Sequence, residues 1–223
     1  MRGGGGAPEM PAHIYKNSEG KRIPGVTTVI GSNLGWNKGP LMHWAWEEGI
    51  NGRDFRQTRD EAADTGTIAH AMVEAELKGK DWREMVDMRG VTDDMVLKAL
   101  NALEAWQQWA RLFSFHLVGS EISLVSEKHQ YGGTIDVATI QDSLCILDLK
   151  TSNAVYEDHK IQLAAYQNLW DENNPDNPCK GLYLLRLGKN DGSFAYYYWP
   201  DLSPAWEAFQ CLRELHGLKK KIA

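Results

Sequence analysis

The stretch GGTIDVATIQDSLCILDLKTS, residues 132–152, places two aspartates and a lysine inside apolar, β-rich runs. Side chains alternate between the two faces of a strand, so Asp148 and Lys150 share one face. If a three-residue loop centred on Asp142 joins the runs, Asp136 lies opposite Asp148, whereas a two-residue loop would put the two aspartates on opposite faces. Facing carboxylates destabilise a sheet, so the first register predicts a cation between them.

A divalent cation accounts for this pair of carboxylates better than Lys150 alone. Mg²⁺ is typically held by one or two carboxylates together with water and substrate phosphate. The spacing therefore predicts a site for a divalent cation such as Mg²⁺.

The sequence around this stretch predicts a mixture of helices and strands. Three short β-rich runs, 121–127, 134–140 and 144–150, favour an antiparallel meander. Thr27 and Thr28 are possible caps of an early helix, and Pro40 could begin a second one. Further helices are predicted over 60–78, 92–112, 157–172 and 203–221, with Thr92 as a cap, Gly79 as a stop and a hairpin turn at Asn190-Asp191-Gly192.

Length and composition favour one soluble domain. The chain has 223 residues, 43% of them hydrophobic and 24% charged, and no apolar run approaches the roughly 20 residues that span a bilayer. We expect a flexible leader over 1–12, which lacks a signal-peptide pattern, and a single domain over 13–223 in a cytoplasmic protein. Within that domain, a helical part is expected over about 40–115 and a catalytic core over about 60–200.

Charge and cysteine content narrow the function classes. A net charge of -6 argues against a long basic face for nucleic acid, although a bound cation would reverse the local field at a site. Cys145, Cys179 and Cys211 lack zinc-site spacing, so reduced thiols are expected rather than a disulfide framework or structural zinc.

Two predicted helices add polar side chains whose roles the pattern alone leaves open. A single helix histidine such as His70 is more often packed or exposed than a ligand. Glu74, one turn later, could be a second ligand or the solvated partner of a lysine. His159, Gln162 and Tyr166 form a polar stripe that could face substrate, but Tyr166 could equally pack with its hydroxyl satisfied.

In chain order these residues form four motifs: GTxxH at 66–70, GxxD at 133–136, DxK at 148–150 and QxxxY at 162–166. This ordered set resembles the RecB-like exonucleases of the PD-(D/E)xK superfamily. That group includes the mitochondrial genome maintenance exonuclease, phage recombination nucleases and CRISPR adaptation nucleases. The resemblance covers about residues 60–170. It implies an α/β (α+β) restriction-endonuclease-like core, with a mixed central sheet, an antiparallel active-site meander and flanking helices.

The same resemblance implies roles for individual residues. One or two Mg²⁺ or Mn²⁺ ions would polarise the scissile phosphate and lower the pKa of a bound water. Lys150 would position or activate that attacking water, or complement charge that develops on the phosphate. The four-cysteine iron–sulfur cluster of some members cannot be formed by three scattered cysteines, so no cluster is expected. The implied metal ligands are His70, Asp136, Asp148, the Leu149 carbonyl and, as a weaker candidate, Glu121; the implied DNA contacts are Gln162, Tyr166 and Thr151.

These features predict a metal-dependent DNA exonuclease in phage or bacterial recombination, replication or repair. Its substrate would be DNA with free ends, either single-stranded or resected duplex. A recombinase, annealing protein or helicase could be its partner, since the chain lacks GxxxxGK[ST]. The alternatives are an endonuclease of the same fold and a non-catalytic binding module. The nine tryptophans, including Trp36, Trp44 and Trp46, either stack on single strands or, as tryptophans more often do, pack in the core.

Overall fold

A computed structural model describes residues 13–35, 38–140 and 142–222. The predicted leader over 1–12 and Trp36 lie outside these ranges. The elements in chain order are β1 (Tyr15–Lys16), β2 (Arg22–Ile23), α1 (Val26–Asn33), α2 (Lys38–Ile50), α3 (Phe55–Leu77), a 3-10 turn (Trp82–Glu84), α4 (Asp93–Leu112), β3 (His116–Ser126), β4 (Tyr131–Ile140), β5 (Leu144–Lys150), α5 (Glu157–Asn173), β6 (Gly181–Leu187), β7 (Phe194–Trp199) and α6 (Ser203–Ile222).

Strands β3 to β7 form one mixed sheet in sequence order, while β1 and β2 form a separate short hairpin. The meander β3-β4-β5 is antiparallel, and β6 and β7 form an antiparallel hairpin. Strands β5 and β6 are parallel, so they need a crossover connection, which α5 supplies. The predicted mixed α/β fold, with its antiparallel meander and flanking helices, is confirmed.

The sheet separates two apolar clusters. Helices α1, α5 and α6 pack in one cluster with strand residues such as Ala138 and Ile146. Helices α3 and α4 pack in the other with Val137, Leu147 and Leu149. Strand β5 is buried along almost its whole length. Its buried charged residue, Asp148, therefore needs a partner that compensates the charge.

The predicted caps of α1 are wrong. The helix begins at Val26 after the extended residue Gly25, which makes no side-chain cap. Thr27 therefore lies inside the first turn. The cause is tertiary: Gly132 N donates to the Pro24 carbonyl at 3.0 Å, and Gly25 forms a parallel bridge with Gly132. This pairing keeps the backbone extended up to Val26, and Thr28 lies in the helix for the same reason.

Other predicted boundaries hold to different degrees. Thr92 does cap α4, because its side chain accepts from Met95 N. Gly79, just after α3, has the left-handed φ of 63° expected at a helix end. Helix α3 begins five residues before the predicted start because Asp54 caps it, and Pro40 does not begin α2, which is already helical at Lys38. None of the helices in the described ranges is long and apolar enough to cross a bilayer.

Candidate active site

The site lies on neighbouring strands of the meander. Strand β4 pairs with β5 through Val137↔Leu147 to Ile140↔Leu144, so three residues, 141–143, separate the strands. This is the loop length that the facing aspartates require. Continuing the register by one step sets Asp136 against Asp148, at the end of β5 where Lys150 also lies.

Three ligand-type side chains, one of them Asp136, converge at this end of the strands. Ligand atoms of His70, Glu121 and Asp136 all lie within 4.8 Å of one another, and His70 Nδ1 is 3.7 Å from Asp136 Oδ1. The Leu149 amide donates to Asp136 Oδ2 at 2.7 Å, and the Leu149 backbone also bonds the His70 ring. Burial lowers the pKa of His70 despite the neighbouring carboxylate, so its imidazole is held neutral, the form that binds metal.

Asp148 is 1% exposed and stands outside that group of three. Lys150 Nζ donates to Asp148 Oδ2 at 2.7 Å, whereas Asp148 Oδ1 accepts no hydrogen bond from a described residue. Burial raises the pKa of Asp148, and Asp136 raises it further, while Lys150 opposes both. Burial alone would lower the pKa of Lys150, but Asp148 and Asp136 together raise it. The pair is therefore a buried ion contact with unused acceptor capacity on the carboxylate.

Glu121 holds an unusual backbone conformation for its position. The strand begins at His116 rather than at Glu121 as predicted, so Glu121 lies inside β3, level with Asp136. Its φ is +52°, a left-handed value that is rare for residues other than glycine and usually marks functional or turn positions. Burial raises the pKa of Glu121 to about 8, with Asp136 and Glu74 adding to the effect.

Two motif glycines allow close packing around these groups. A Cβ at Gly66 would lie 3.0 Å from Thr151 Oγ1, so the glycine lets α3 approach the residue that follows β5. A Cβ at Gly133 would lie 2.8 Å from Tyr166 Cε1, with further contacts just as short. Both glycines thus bring a helix with a candidate residue, His70 on α3 and Tyr166 on α5, against the strands that carry the carboxylates.

The polar side chains of α5 do not form one group: Gln162 and Tyr166 bond each other, whereas His159 bonds the start of the helix. Gln162 Nε2 donates to the Tyr166 hydroxyl at 2.8 Å, and Tyr166 is 5% exposed. Burial and then Asp136 and Asp148 raise the pKa of Tyr166, which places the phenol beside the carboxylates. His159 is not part of this group, because its Nδ1 accepts from the Tyr156 amide at 3.3 Å.

The family model of the PD-(D/E)XK nuclease superfamily matches residues 32–213, which is most of the chain and includes every candidate residue. The chain belongs to the PD-(D/E)XK nuclease superfamily. No curated protein matches the chain.

Two solved structures are similar to this chain. A protein from Eubacterium rectale, named as a candidate exonuclease, aligns with 12% identity and a TM-score of 0.46 over 66% of this chain and 64% of its own. The chain thus spans less than two thirds of that protein. The protein SSO0001 aligns with 15% identity and a TM-score of 0.35, covering 69% of this chain and 72% of that one. Both TM-scores are below 0.5, so the family assignment rests on the family match.

The donors of this chain fit a divalent cation. Nucleases of this superfamily typically use divalent metals, and His70, Glu121 and Asp136 form a group that could hold one. This set of two carboxylates and a neutral imidazole favours Mn²⁺ over Mg²⁺, because imidazole favours transition metals. Asp148 Oδ1, which is buried without a hydrogen-bond donor among the described residues, marks a second place where positive charge is needed.

One alternative ligand has another partner. Glu74, whose side chain is 18% exposed, forms an i,i+4 ion pair with Lys78 on α3. This is the partnership with a lysine that the sequence left open as an alternative to metal binding. Glu74 still acts on the site at a distance, since it helps to raise the pKa of Glu121.

Sequence reasoning missed a hydroxyl network behind the carboxylates. The Tyr15 hydroxyl lies 2.9 Å from Thr134 Oγ1, which is also 2.9 Å from Ser123 Oγ. Burial raises the pKa of Tyr15, and Glu121 contributes to that rise. Strand alternation could have identified Thr134, which lies two residues before Asp136 and so on its face. Nothing local could have identified Tyr15, which is 119 residues away in sequence.

Proposed function

We propose that this nuclease is a Mg²⁺- or Mn²⁺-dependent exonuclease that hydrolyses phosphodiester bonds from DNA ends. One observation carries the proposal: a buried aspartate–lysine pair, Asp148 and Lys150, stands beside a convergent His70, Glu121 and Asp136 group. Carboxylates gathered in this way repel each other, and hydrolysis of a phosphodiester needs positive charge at the same place.

The cation would be held by His70, Glu121 and Asp136, with the Leu149 carbonyl and Asp148 as further ligands. When bound, it would polarise the scissile phosphate, lower the pKa of a water and stabilise the leaving oxygen. The hydrogen bond from the Leu149 amide to Asp136 Oδ2 fixes the orientation of that carboxylate, so Oδ1 remains directed toward His70. Such orientation of ligands by neighbouring groups is a normal requirement of metal sites.

Lys150 acts as a cation rather than as a base. The two aspartates raise its pKa, so its ammonium stays protonated at neutral pH and has three hydrogens to donate. Asp148 holds it at 2.7 Å. From this position Lys150 orients the attacking water or neutralises charge that develops on the phosphate oxygens.

Gln162 and Thr151 are proposed to contact the DNA backbone. The Gln162 amide can donate to phosphate without adding charge, and its hydrogen bond to Tyr166 fixes its direction. Tyr166 is too buried for extensive contact, so its main role is to position Gln162. The preference for ends over internal sites comes from the resemblance to RecB-like exonucleases, and an endonuclease of the same fold is the alternative.

The wider role follows from the same resemblance. We place the enzyme in phage or bacterial recombination, replication or repair in the cytoplasm. Its substrate would be single-stranded or resected duplex DNA, and a recombinase, annealing protein or helicase could act beside it. A non-catalytic binding module is a weaker alternative, because such proteins usually lack part of a catalytic centre.

The decisive experiment compares wild type with Lys150→Ala on end-labelled single strands, blunt duplexes and closed circles, in Mg²⁺, Mn²⁺ and chelator. Lys180→Ala is the matched control, since Lys180 is an exposed lysine whose amide bonds Leu144 at the far end of β5. We expect metal-dependent loss of linear DNA only, abolished in Lys150→Ala and retained in Lys180→Ala. Cutting of closed circles would indicate an endonuclease, and binding without cleavage under every condition would indicate a binding module.

A further inference from the structure

A groove of about 550 Å³ lies between the β1-β2 hairpin, the start of α1 and the end of α6. Its polar lining consists of His13, Arg22, Thr27, Thr28, His216 and Lys220, and no acidic side chain is among the described residues that line it. This is unusual in a chain with a net charge of -6. The groove therefore differs in sign from the protein as a whole.

The cations of the groove are available to a ligand. Arg22 and Lys220 are both exposed, and neither forms a salt bridge with another described residue. The field around them is positive: burial lowers the pKa of His216, and then Lys220, Arg213 and Lys219 lower it further. Lys219 bonds the Ser32 carbonyl at 2.9 Å, which holds the basic end of α6 beside α1.

The groove also contains aromatic faces. The rings of His13 and Tyr15 are stacked at a centroid distance of 6.3 Å and an interplanar angle of 20°. A positively charged channel combined with aromatic rings is the usual means of binding single-stranded nucleic acid without sequence preference, because cations contact phosphates and rings contact bases.

Tyr15 connects the groove to the active site. Its ring borders the groove and packs on Gly132, where a Cβ would lie 2.3 Å from Tyr15 Cγ. Its hydroxyl reaches Thr134, on the face of β4 that carries Asp136, and it lies close enough to Glu121 for the two groups to interact electrostatically. Tyr15 therefore stands between the groove and the strands that carry Glu121 and Asp136.

We propose that this groove binds the backbone of a single DNA strand and guides that strand to or from the active site. Arg22 and Lys220 contact phosphates, Thr27 and Thr28 donate hydrogen bonds to them, and the exposed His13 ring supports a base. The inference rests on the proposed function insofar as it takes DNA to be the substrate. It adds a binding surface built from the N-terminal hairpin and the last turn of α6.

The test measures equilibrium binding of a fluorescent oligo-dT of about 15 nucleotides, a length suited to a single-strand groove, in chelator so that no hydrolysis occurs. The test variant is Arg22→Ala combined with Lys220→Ala. The control is Arg111→Ala combined with Lys180→Ala, which also removes one arginine and one lysine but near the other end of the sheet. All four side chains are exposed, and equal melting temperatures would verify that both double variants fold.

We expect the groove variant to bind weakly and the control to bind like wild type. Each phosphate contact contributes about 0.7 to the salt slope for single strands, so losing two lowers the slope by about 1.4 and weakens binding by about 25-fold at ~0.1 M salt. Equal affinity of the groove variant and wild type, or no binding by wild type, would overturn the inference. A blunt duplex of the same length that loses as much affinity would overturn the assignment to a single strand.

The same data keep this inference separate from the proposed function. If wild type binds through the groove but never cleaves DNA in Mg²⁺ or Mn²⁺, the groove stands and the exonuclease proposal fails. If wild type cleaves linear DNA and the groove variant binds as tightly as wild type, the exonuclease proposal stands and the groove fails.

Discussion

Glu121→Gln should make the metal-free protein less sensitive to alkaline pH. The folded chain holds a proton on Glu121 up to a pKa of about 8, whereas an unfolded chain releases it near ~4.3. The folded state thus binds more protons between these values, and its stability falls as the pH rises. We use the window from about pH 6.5 to about pH 8 and compare two proteins across it. Histidines with lowered pKa values add an opposing change there, because an unfolded histidine is still partly protonated near ~6.5, but this change is the same in wild type and in Glu121→Gln.

Across that window a group with a pKa of about 8 loses roughly 1.5 kcal/mol of stability, or roughly 3–6 °C in melting temperature for a domain of this size. Urea unfolding in chelator at the two pH values measures it. The change in stability between the two pH values should differ between wild type and Glu121→Gln by roughly 1.5 kcal/mol, with wild type the more sensitive to alkaline pH. Glu207→Gln, at an exposed glutamate on α6, should behave like wild type. An unchanged pH slope in Glu121→Gln would refute the reasoning, since the Asp148 contribution is present in both proteins.

Two further substitutions test packing and stacking. Gly133→Ala should lower the free energy of unfolding in urea by about 1–3 kcal/mol, because the new Cβ would lie 2.8 Å from two buried side-chain atoms. The control Gly31→Ala has open space around it and should gain up to ~1 kcal/mol from helix propensity. Equal effects of the two substitutions would contradict the packing argument. Trp46 is 60% exposed and Trp106 is 1% exposed, so Trp46→Ala should leave unfolding within about 0.5–1 kcal/mol of wild type and Trp106→Ala should lose about 3–5 kcal/mol. If Trp46 stacks on bases, its alanine variant should also bind single strands about 5- to 150-fold more weakly, measured by fluorescence anisotropy.

The parts that the sequence predicted are those fixed by local pattern. The β4-β5 hairpin is an example: alternation places Asp148 and Lys150 on one face, and apolar burial on both sides of β5 leaves little freedom to shift the register. The helix over Asp93–Leu112 is another, because Thr92 supplies its cap within three residues. The grouping of His70 with Asp136 and Asp148 was predicted from the order of the motifs, since these residues lie far apart in the chain.

The parts that the sequence did not predict depend on distant contacts. Thr27 is a good cap by residue type, yet Gly132 pairs with the chain just before it and moves the helix start to Val26. Glu121 was expected to open a strand, but β3 extends back to His116 as an edge strand with an irregular register near Leu117. The left-handed φ of Glu121 follows from that tertiary setting and from no feature of its immediate neighbours.

The site is stable only because the surrounding fold compensates for it. Glu121, Asp136 and Asp148 place three carboxylates close together, and the φ of +52° at Glu121 adds backbone strain of order 1–3 kcal/mol. The positive charge of Lys150 offsets part of this repulsion at Asp148. Because a cation would bind only the assembled group, its binding free energy adds directly to folding stability. Folding and metal binding are therefore linked through the same side chains. Glu121→Gln removes the cost of holding a proton on Glu121 in the folded state, so it should stabilise the metal-free protein at neutral pH while weakening its response to Mn²⁺.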